Sequence, residues 1–416
     1  MGSTLTTYDA LLKERYIDSS RVERLMYPEN VLLGLLEKRG DSGMIGDTMP
    51  VPIFGSLPQG LGGVFSTAQT NSNNAAFFKW NITAGDYYGS VAIGDKVIMA
   101  SRTNQGAFLE NKMVEIDGLF EQAAENLSIY TWGNGGQALG RRATAATNAI
   151  TLVNPEQSAN FEVGMTVTAS ANDGSDSAHT QRTGSTTVAS IDRSAGVVTL
   201  TLASGITSFA DGDYLFRQSD FFGDQAVIVI KGVRAFVTDT DVPMALWGVS
   251  AATRLTDLQR YSGCRVQANE LYGQPYEERI RTLLSRMTGR FKAKAPTAGF
   301  LHPEDFEKLS TAMSARGVRP LEDENTKFGY MKIDALSGAG RVPIYTDRHC
   351  PKGNFFALRM EDWWISSMGE LTHFQNEDGM EILRKSTSTD YEARMISYPL
   401  LANRAPKNSG RCDLTV

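Results

Sequence analysis

The sequence predicts an α+β protein that carries an inserted all-β barrel or sandwich module. Three observations predict it. Residues 104–132 repeat apolar side chains every three or four positions, the period of an amphipathic helix. Residues 141–218 change composition abruptly: they hold no lysine, are crowded with Thr, Ser and Ala, and contain five short β-rich runs between turn clusters. On both sides of that module, helical patterns are interspersed with two-residue alternation, as in a mixed α+β host.

Bulk properties narrow the function classes. A chain of 416 residues holds one to three domains and ample material for a core. The formal charge is −6 and no long Lys/Arg block occurs, so the electrostatic footprint of tight nucleic-acid binding is missing. The three cysteines, Cys264, Cys350 and Cys412, are far apart and form no C-x-x-C pair. That spacing argues against a disulfide framework or a zinc knuckle, and a reducing cytoplasm is the simplest setting. The first twenty residues lack the apolar core of a signal peptide, and no run of about 18 apolar residues occurs to span a membrane.

From the N-terminus onward, Leu11, Leu12, Arg15 and Tyr16 begin a helix-like spacing. "PENVLLGLLEKRG" is a clearer helix, with Pro28 in its first turn and Gly40 at its exit. "TMPVPIFGSLPQGLGGVF" is too rich in proline and glycine for a helix and reads as an extended arm. Residues 64–100 alternate aromatic and β-branched residues with polar ones, which predicts a long hairpin interrupted by Gly85 and Gly89. Little around it supplies a core, so it needs a partner surface. The long helix comes next, with Leu109, Met113, Ile116, Phe120, Ala123, Leu127 and Tyr130 on one stripe. At 1.5 Å per residue it is a rod of roughly 40 Å. Gly133 suits its exit as a left-handed residue.

After the β-rich module, "AVIVIKGVRAFV" reads as a strand and loop. "SAATRLTDLQRYSG" reads as a helix ending at Gly263, and "QPYEERIRTLLSRMTGRF" as another. "TAGFLHPEDFEKLSTAMSARG" gives a strand, then a helix opened by Pro303. Alternation returns in "RVPIYTD", "GNFFALRM", "DWWISSMG" and "DYEARMISYPLLANRAP".

Several stretches invite chemistry. Gly133-x-Gly135-x-x-Ala138 spells a dinucleotide fingerprint, but that motif needs a strand before the glycines and a helix after them. Here the order is inverted, so the glycines Gly133, Gly135, Gly136 and Gly140 read as a domain junction. "RGDSGM" (Arg39–Met44) echoes the nucleophile segment of trypsin-like proteases, yet all four histidines follow Ser42 in the chain, so a turn is preferred. His349-Cys350 has no second close ligand pair and reads as loop packing. Asn172–Asp176 lacks the spacing of a calcium loop and reads as a turn. No Walker lysine motif, H-E-x-x-H or G-x-S-x-G occurs. The reading is therefore no enzyme, no cofactor and no metal. Among the aromatics, core filling and surface contact are both open for Trp363-Trp364. For Phe77, Phe78, Lys79 and Trp80, together with Tyr87 and Tyr88, an intersubunit contact is expected.

An extended arm, a projecting hairpin and a rod-like helix are elements that find partners outside their own domain. Their order resembles the major capsid protein of tailed bacteriophages, the family with the Hong Kong 97-type fold. Residues 1–57 resemble its N-terminal arm, 58–103 its extended-loop hairpin, and 104–140 the spine helix of its peripheral domain. Residues 141–218 are an inserted β-rich domain. Residues 219–290 continue the peripheral domain, 291–380 resemble the axial domain, and 381–416 hold the closing peripheral strand. "APTAGFLHPEDFEKLS" (Ala295–Ser310), "GRVPIYTDRHCPKGNFFALRMEDWWI" (Gly340–Ile365) and "STSTDYEARMISYPLLANRAPKN" (Ser386–Asn408) carry the later part of the likeness.

The resemblance implies hexamers and pentamers tiling an icosahedral shell around double-stranded DNA, made in the bacterial cytoplasm. It implies a portal protein as partner, with a decoration or cement protein in some members. Little chain precedes the arm, so a separate scaffolding protein, or a prefix already removed, is expected. Lys79 and Asn403 supply the residue types for the family's covalent cross-link, but non-covalent assembly is expected. The rival readings are a tail-tube or decoration protein, and an enzyme with a carbohydrate-binding β insert.

Overall fold

A computed structural model describes residues 30–40, 43–93, 105–175, 180–221, 229–238, 245–315, 332–338, 340–375, 382–384 and 391–414. The chain divides into two compact units. One comprises Met1–Asp41, Ala84–Gly232 and Ser366–Leu400; the other comprises Ser42–Thr83, Val233–Ile365 and Leu401–Val416.

The first unit is organised by the helix Gln105–Trp132. Ile116, Phe120, Ala123, Leu127 and Tyr130 of the expected stripe are all buried. The side chains of Leu109 and Met113, and the expected helix at residues 11–16, lie outside the described residues. A sheet packs against the helix. Its central strand, Tyr391–Ser397, pairs antiparallel with Tyr87–Ile93 on one edge and with Ile382–Arg384 and His373–Phe374 on the other. Packing is close at Gly89, where an added Cβ would lie 3.0 Å from the side-chain ends of Leu119 and Met395, which would have to give way. Phe120 meets Phe374 edge to face at 5.1 Å.

The same unit contains a closed, all-antiparallel barrel of six strands. In spatial order they are Tyr214–Arg217, Gly140–Ala146, Ala149–Leu152, Val197–Leu200, Thr186–Asp192 and Thr166–Ser170, and the last pairs back with the first. Ile150, Leu152, Val167, Ala169, Val188, Val198, Leu200 and Leu215 are buried, and so is Phe161 beside Gly140; burial alternates in Ala149–Leu152 and Val197–Leu200. Closure removes both free edges. Five strands match the five β-rich runs. The sixth, Gly140–Ala146, goes beyond them, since its Arg- and Ala-rich sequence has little strand propensity. Its neighbours in the closed ring hold it in place.

The second unit is built on a mixed six-stranded sheet. Its order is Cys264–Val266, Gly410–Asp413, Asn354–Leu358, Ala298–Leu301, Gly340–Thr346 and Lys332–Ser337. The first pair and the Ala298/Gly340 pair are parallel; the others are antiparallel. Helices Tyr276–Gly289 and Pro303–Ala315 contribute Ile280, Leu283, Leu284, Met287, Phe306 and Leu309 to one apolar core with Leu301, Ile344 and Phe355. Spacings of three and four explain which residues face the sheet. The helix Tyr276–Gly289 packs on this sheet, four of whose strands come from residues 291–380, one from 219–290 and one from 381–416. "SAATRLTDLQRYSG" forms two short helices, Ala251–Thr256 and Leu258–Ser262. The break falls where the Asp257 side chain accepts the Arg260 amide and so starts the second helix.

The hairpin expected within 64–100 is corrected. Ala76–Thr83 pairs with Thr48–Ser56, whereas Tyr87–Ile93 pairs with Tyr391–Ser397. Pro50 and Pro52 make Thr48–Ser56 look like an arm in the sequence. The two prolines are in phase along the strand, so both missing donors fall on the same edge and cost no ladder bond. Beyond the hairpin the chain passes Gly85, whose amide donates to Pro399 O at 3.0 Å and directs the next strand to a different partner.

Candidate assembly surface

The hairpin Thr48–Ser56/Ala76–Thr83 has two unlike faces. The inner face carries Met49, Val51, Ile53, Trp80 and Ile82, all buried. Trp80 is 0 % exposed and meets Phe236 at 4.9 Å. Phe236 meets Trp363 at 5.3 Å, and Trp363 Nε1 donates to Ser409 Oγ at 2.9 Å. This chain of rings is core, which settles Trp363 and Trp364 as buried residues.

The outer face carries Pro50, Pro52, Phe54, Phe77, Lys79 and Asn81. Phe54 and Phe77 lie directly opposite each other, with ring centroids 4.9 Å apart, edge to face. Phe77 is 64 % exposed. The loop joining the strands adds Leu57, Leu61, Val64 and Phe65, of which Leu61 is 82 % exposed. The loop is not slack: Gln59 N donates to Asn73 Oδ1 at 2.6 Å, and Ala76 N to Ser56 Oγ at 3.3 Å. Its helix, Phe65–Thr70, buries no residue. The result is an ordered apolar tip exposed to water, the signature of a contact surface.

The structure therefore sorts the expected contact residues. Phe77 and Lys79 are presented outward. Phe78 turns to the other face, against Tyr261 at 5.6 Å. Trp80 is corrected to a core residue, because strand alternation places it inward with Ile82. Tyr87 is also turned inward. Its hydroxyl oxygen accepts Asn126 Nδ2 at 2.8 Å, and burial pushes its pKa up. Tyr88 is exposed, and a hydrogen bond with Tyr398 is the first cause pushing its hydroxyl up to about 12. Asn403 is wholly buried, its Oδ1 accepting Ala405 N at 2.7 Å, so its amide is not presented for cross-linking.

The junction is built by close approach. Gly133 N donates to Tyr130 O at 3.0 Å and closes the helix, but the left-handed backbone expected at Gly133 falls at Gly135 (φ 96°) and Gln137 (φ 65°). A Cβ on Gly136 would collide with the Asp173 carbonyl oxygen, so only glycine fits. Asn134 donates to Asp173 Oδ2 at 2.6 Å and accepts Gly136 N at 3.0 Å. Gln137 Nε2 donates to Ile230 O at 2.8 Å. Gly140 opens the first barrel strand against Phe161 and Leu152. The Gly136 amide is already bonded within the chain, and a helix precedes the glycines, so the motif has no phosphate cradle.

Asp173 caps its own turn through Ser175 N at 3.1 Å and Oγ at 2.7 Å. Cys350 is buried, and Arg348 Nε donates to His349 Nε2 at 3.0 Å. Burial, with Arg348 and His302 nearby, pushes the His349 pKa down to about 3. Asp41 and Ser42 of the protease-like stretch lie outside the described residues. Among the described residues no group of His, Cys, Asp and Glu is arranged to hold a metal, and no helix is long and apolar enough to cross a membrane. Sequence reasoning missed Phe54, Asn126 and Arg217. Phe54 was legible in "VPIFGS"; the others act through partners distant in the chain.

No protein-family model and no curated protein matches the chain. Several solved structures resemble it along nearly its whole length. The cyanophage A-1(L) capsid asymmetric unit is 10 % identical, with 93 % of each chain covered and a TM-score of 0.49. A virus-like particle from Pyrococcus furiosus is 6 % identical, covering 94 % of this chain and 96 % of its own, at a TM-score of 0.40. A structure of Mycobacterium phage Ogopogo is 9 % identical, covering 92 % and 91 %, at a TM-score of 0.42. All are below 0.5, so the functional reading rests on this chain's own architecture.

Proposed function

We propose that the chain is a major capsid protein of a tailed bacteriophage. It self-assembles as hexamers and pentamers into an icosahedral head shell that encloses double-stranded DNA. The observation that carries the reading is the hairpin with one face in the core and an ordered apolar tip left in water. An apolar tip of this kind favours a surface that covers it. Burying Phe54, Leu57, Leu61, Phe65 and Phe77 is worth roughly 1.5–3 kcal/mol each. Association costs offset part of this, and many weak contacts repeated around a shell supply the rest. The order of elements supports the same reading: hairpin, long helix, then a mixed sheet with two covering helices. A mild negative charge suits a lining that confines DNA without gripping it. In this reading a separate scaffolding protein guides assembly in the host cytoplasm, a portal occupies one vertex, and the barrel is a projecting insert.

Negative-stain imaging of the purified protein, made with its scaffolding partner, tests the proposal. Closed polyhedral shells or hexameric rings are expected. A monomer under every assembly condition would overturn it.

A further inference from the structure

A buried polar network ties three elements of the first unit together. Asn126 is 1 % exposed and lies in the last two turns of the long helix. Its Nδ2 donates to the Tyr87 hydroxyl oxygen at 2.8 Å, on the first residue of the strand Tyr87–Ile93. Its Oδ1 accepts Arg217 Nη2 at 3.0 Å, on the last residue of the closing barrel strand. One helical turn on, the Tyr130 hydroxyl donates to Asp220 Oδ2, three residues past Arg217. Asn126 and Tyr130 are four apart, so both project from one side of the helix.

The chemistry fixes the amide. Arginine has no acceptor, so only Asn126 Oδ1 can face Arg217, and Nδ2 must then face Tyr87. A single planar group thus makes both bonds, Gln122 Nε2 one turn back also donating to Oδ1 at 3.4 Å, and rotating it breaks them together. We propose that Asn126 is a coupling hub: the strand Tyr87–Ile93 and the exit of the barrel are held by one amide, so releasing either loosens the other. The amide is held most firmly while both partners are present, with Gln122 a weaker third support. When one is lost, rotation about the side chain is less restrained and the second bond is made for less of the time. The barrel is therefore no freely hinged appendage. Its exit senses whether the strand after the hairpin is seated.

Hydrogen exchange on the full-length chain tests this. In Tyr87→Phe, amide exchange at Tyr214–Arg217 is expected to rise by about three- to tenfold, although the substituted residue belongs to another strand. Arg217→Met is expected to raise exchange in Tyr87–Ile93 by a similar factor. The double variant is expected to show less than the product of the two effects. Changes confined to each variant's own strand would overturn the proposal, as would a double variant equal to the product. A rise of the same size at Ala298–Leu301, in the other unit, would show general destabilisation and would also overturn it. If Arg217→Met fails to fold, Tyr87→Phe alone decides, because its readout is at the barrel.

Discussion

The barrel and the hairpin are both antiparallel β structures, yet they treat apolar surface in opposite ways. The barrel closes on itself: six strands pair around a ring, and its inward side chains, from Ile150 to Leu215, are buried within it. The hairpin has two strands and leaves Phe54, Phe77 and the loop residues Leu61 and Phe65 in water. Only its inner face, centred on Trp80, belongs to the folded core. The difference teaches where completeness lies. The barrel is finished within one polypeptide, whereas the outer half of the hairpin leaves its apolar side chains in water, where the proposed function has another subunit cover them.

The contrast breaks most sharply at Trp80. Trp80→Ala empties a fully enclosed site against Phe236 and is expected to destabilise the chain by about 3–5 kcal/mol in urea unfolding. A loss below about 1 kcal/mol would mean that the inner face is not core.

The barrel's mounting gives the next effect. Gly136→Ala drives a methyl into the Asp173 carbonyl oxygen, so the junction must move, and a loss of about 2–4 kcal/mol is expected. Gly118→Ala, where a Cβ meets open space in the long helix, is expected to stabilise by roughly 0.5–1 kcal/mol. Equal effects from both changes would contradict the close approach at the junction.

Acid supplies a smaller, graded test in the second unit. His349 takes its proton near 6.5 in the unfolded chain but only near 3 when folded. Its contribution is therefore complete above pH 6.5. It is lost as pH falls toward 3, by about 1.4 kcal/mol per pH unit at most, because protons bind the unfolded chain alone. Stability measured from pH 7 to 4.5 is expected to fall less steeply in His349→Asn than in the parent chain. Parallel curves would show that the histidine carries none of the pH dependence.

These outcomes also mark how much was legible in the sequence. The long helix and five of the barrel strands were readable, because periods of 3.6 and 2 survive in local composition. Gly140–Ala146 was not, since closure of the ring and not propensity makes it a strand. The true pairing of the hairpin stays hidden because Pro50 and Pro52 argue against a strand until their shared edge is known. Trp80 looks like a contact because "FFKW" does not say which face each aromatic takes; strand phase with Ile82 decides it. Asn126 looks like an ordinary polar position on a helix. Its partners, Tyr87 and Arg217, lie 39 and 91 residues away, and no local pattern links them.

The smallest expected effect on the isolated subunit tests the central claim most directly. Phe54→Ser/Phe77→Ser removes two rings that face water and pair only across the hairpin strands, so urea unfolding of the monomer is expected to shift by no more than about 1 kcal/mol. Sedimentation and negative-stain imaging of the same variant are expected to show folded subunits that no longer close into shells. Shells formed with parental yield would contradict the assignment of the hairpin tip as the assembly surface, and an unfolded subunit would return those rings to the core.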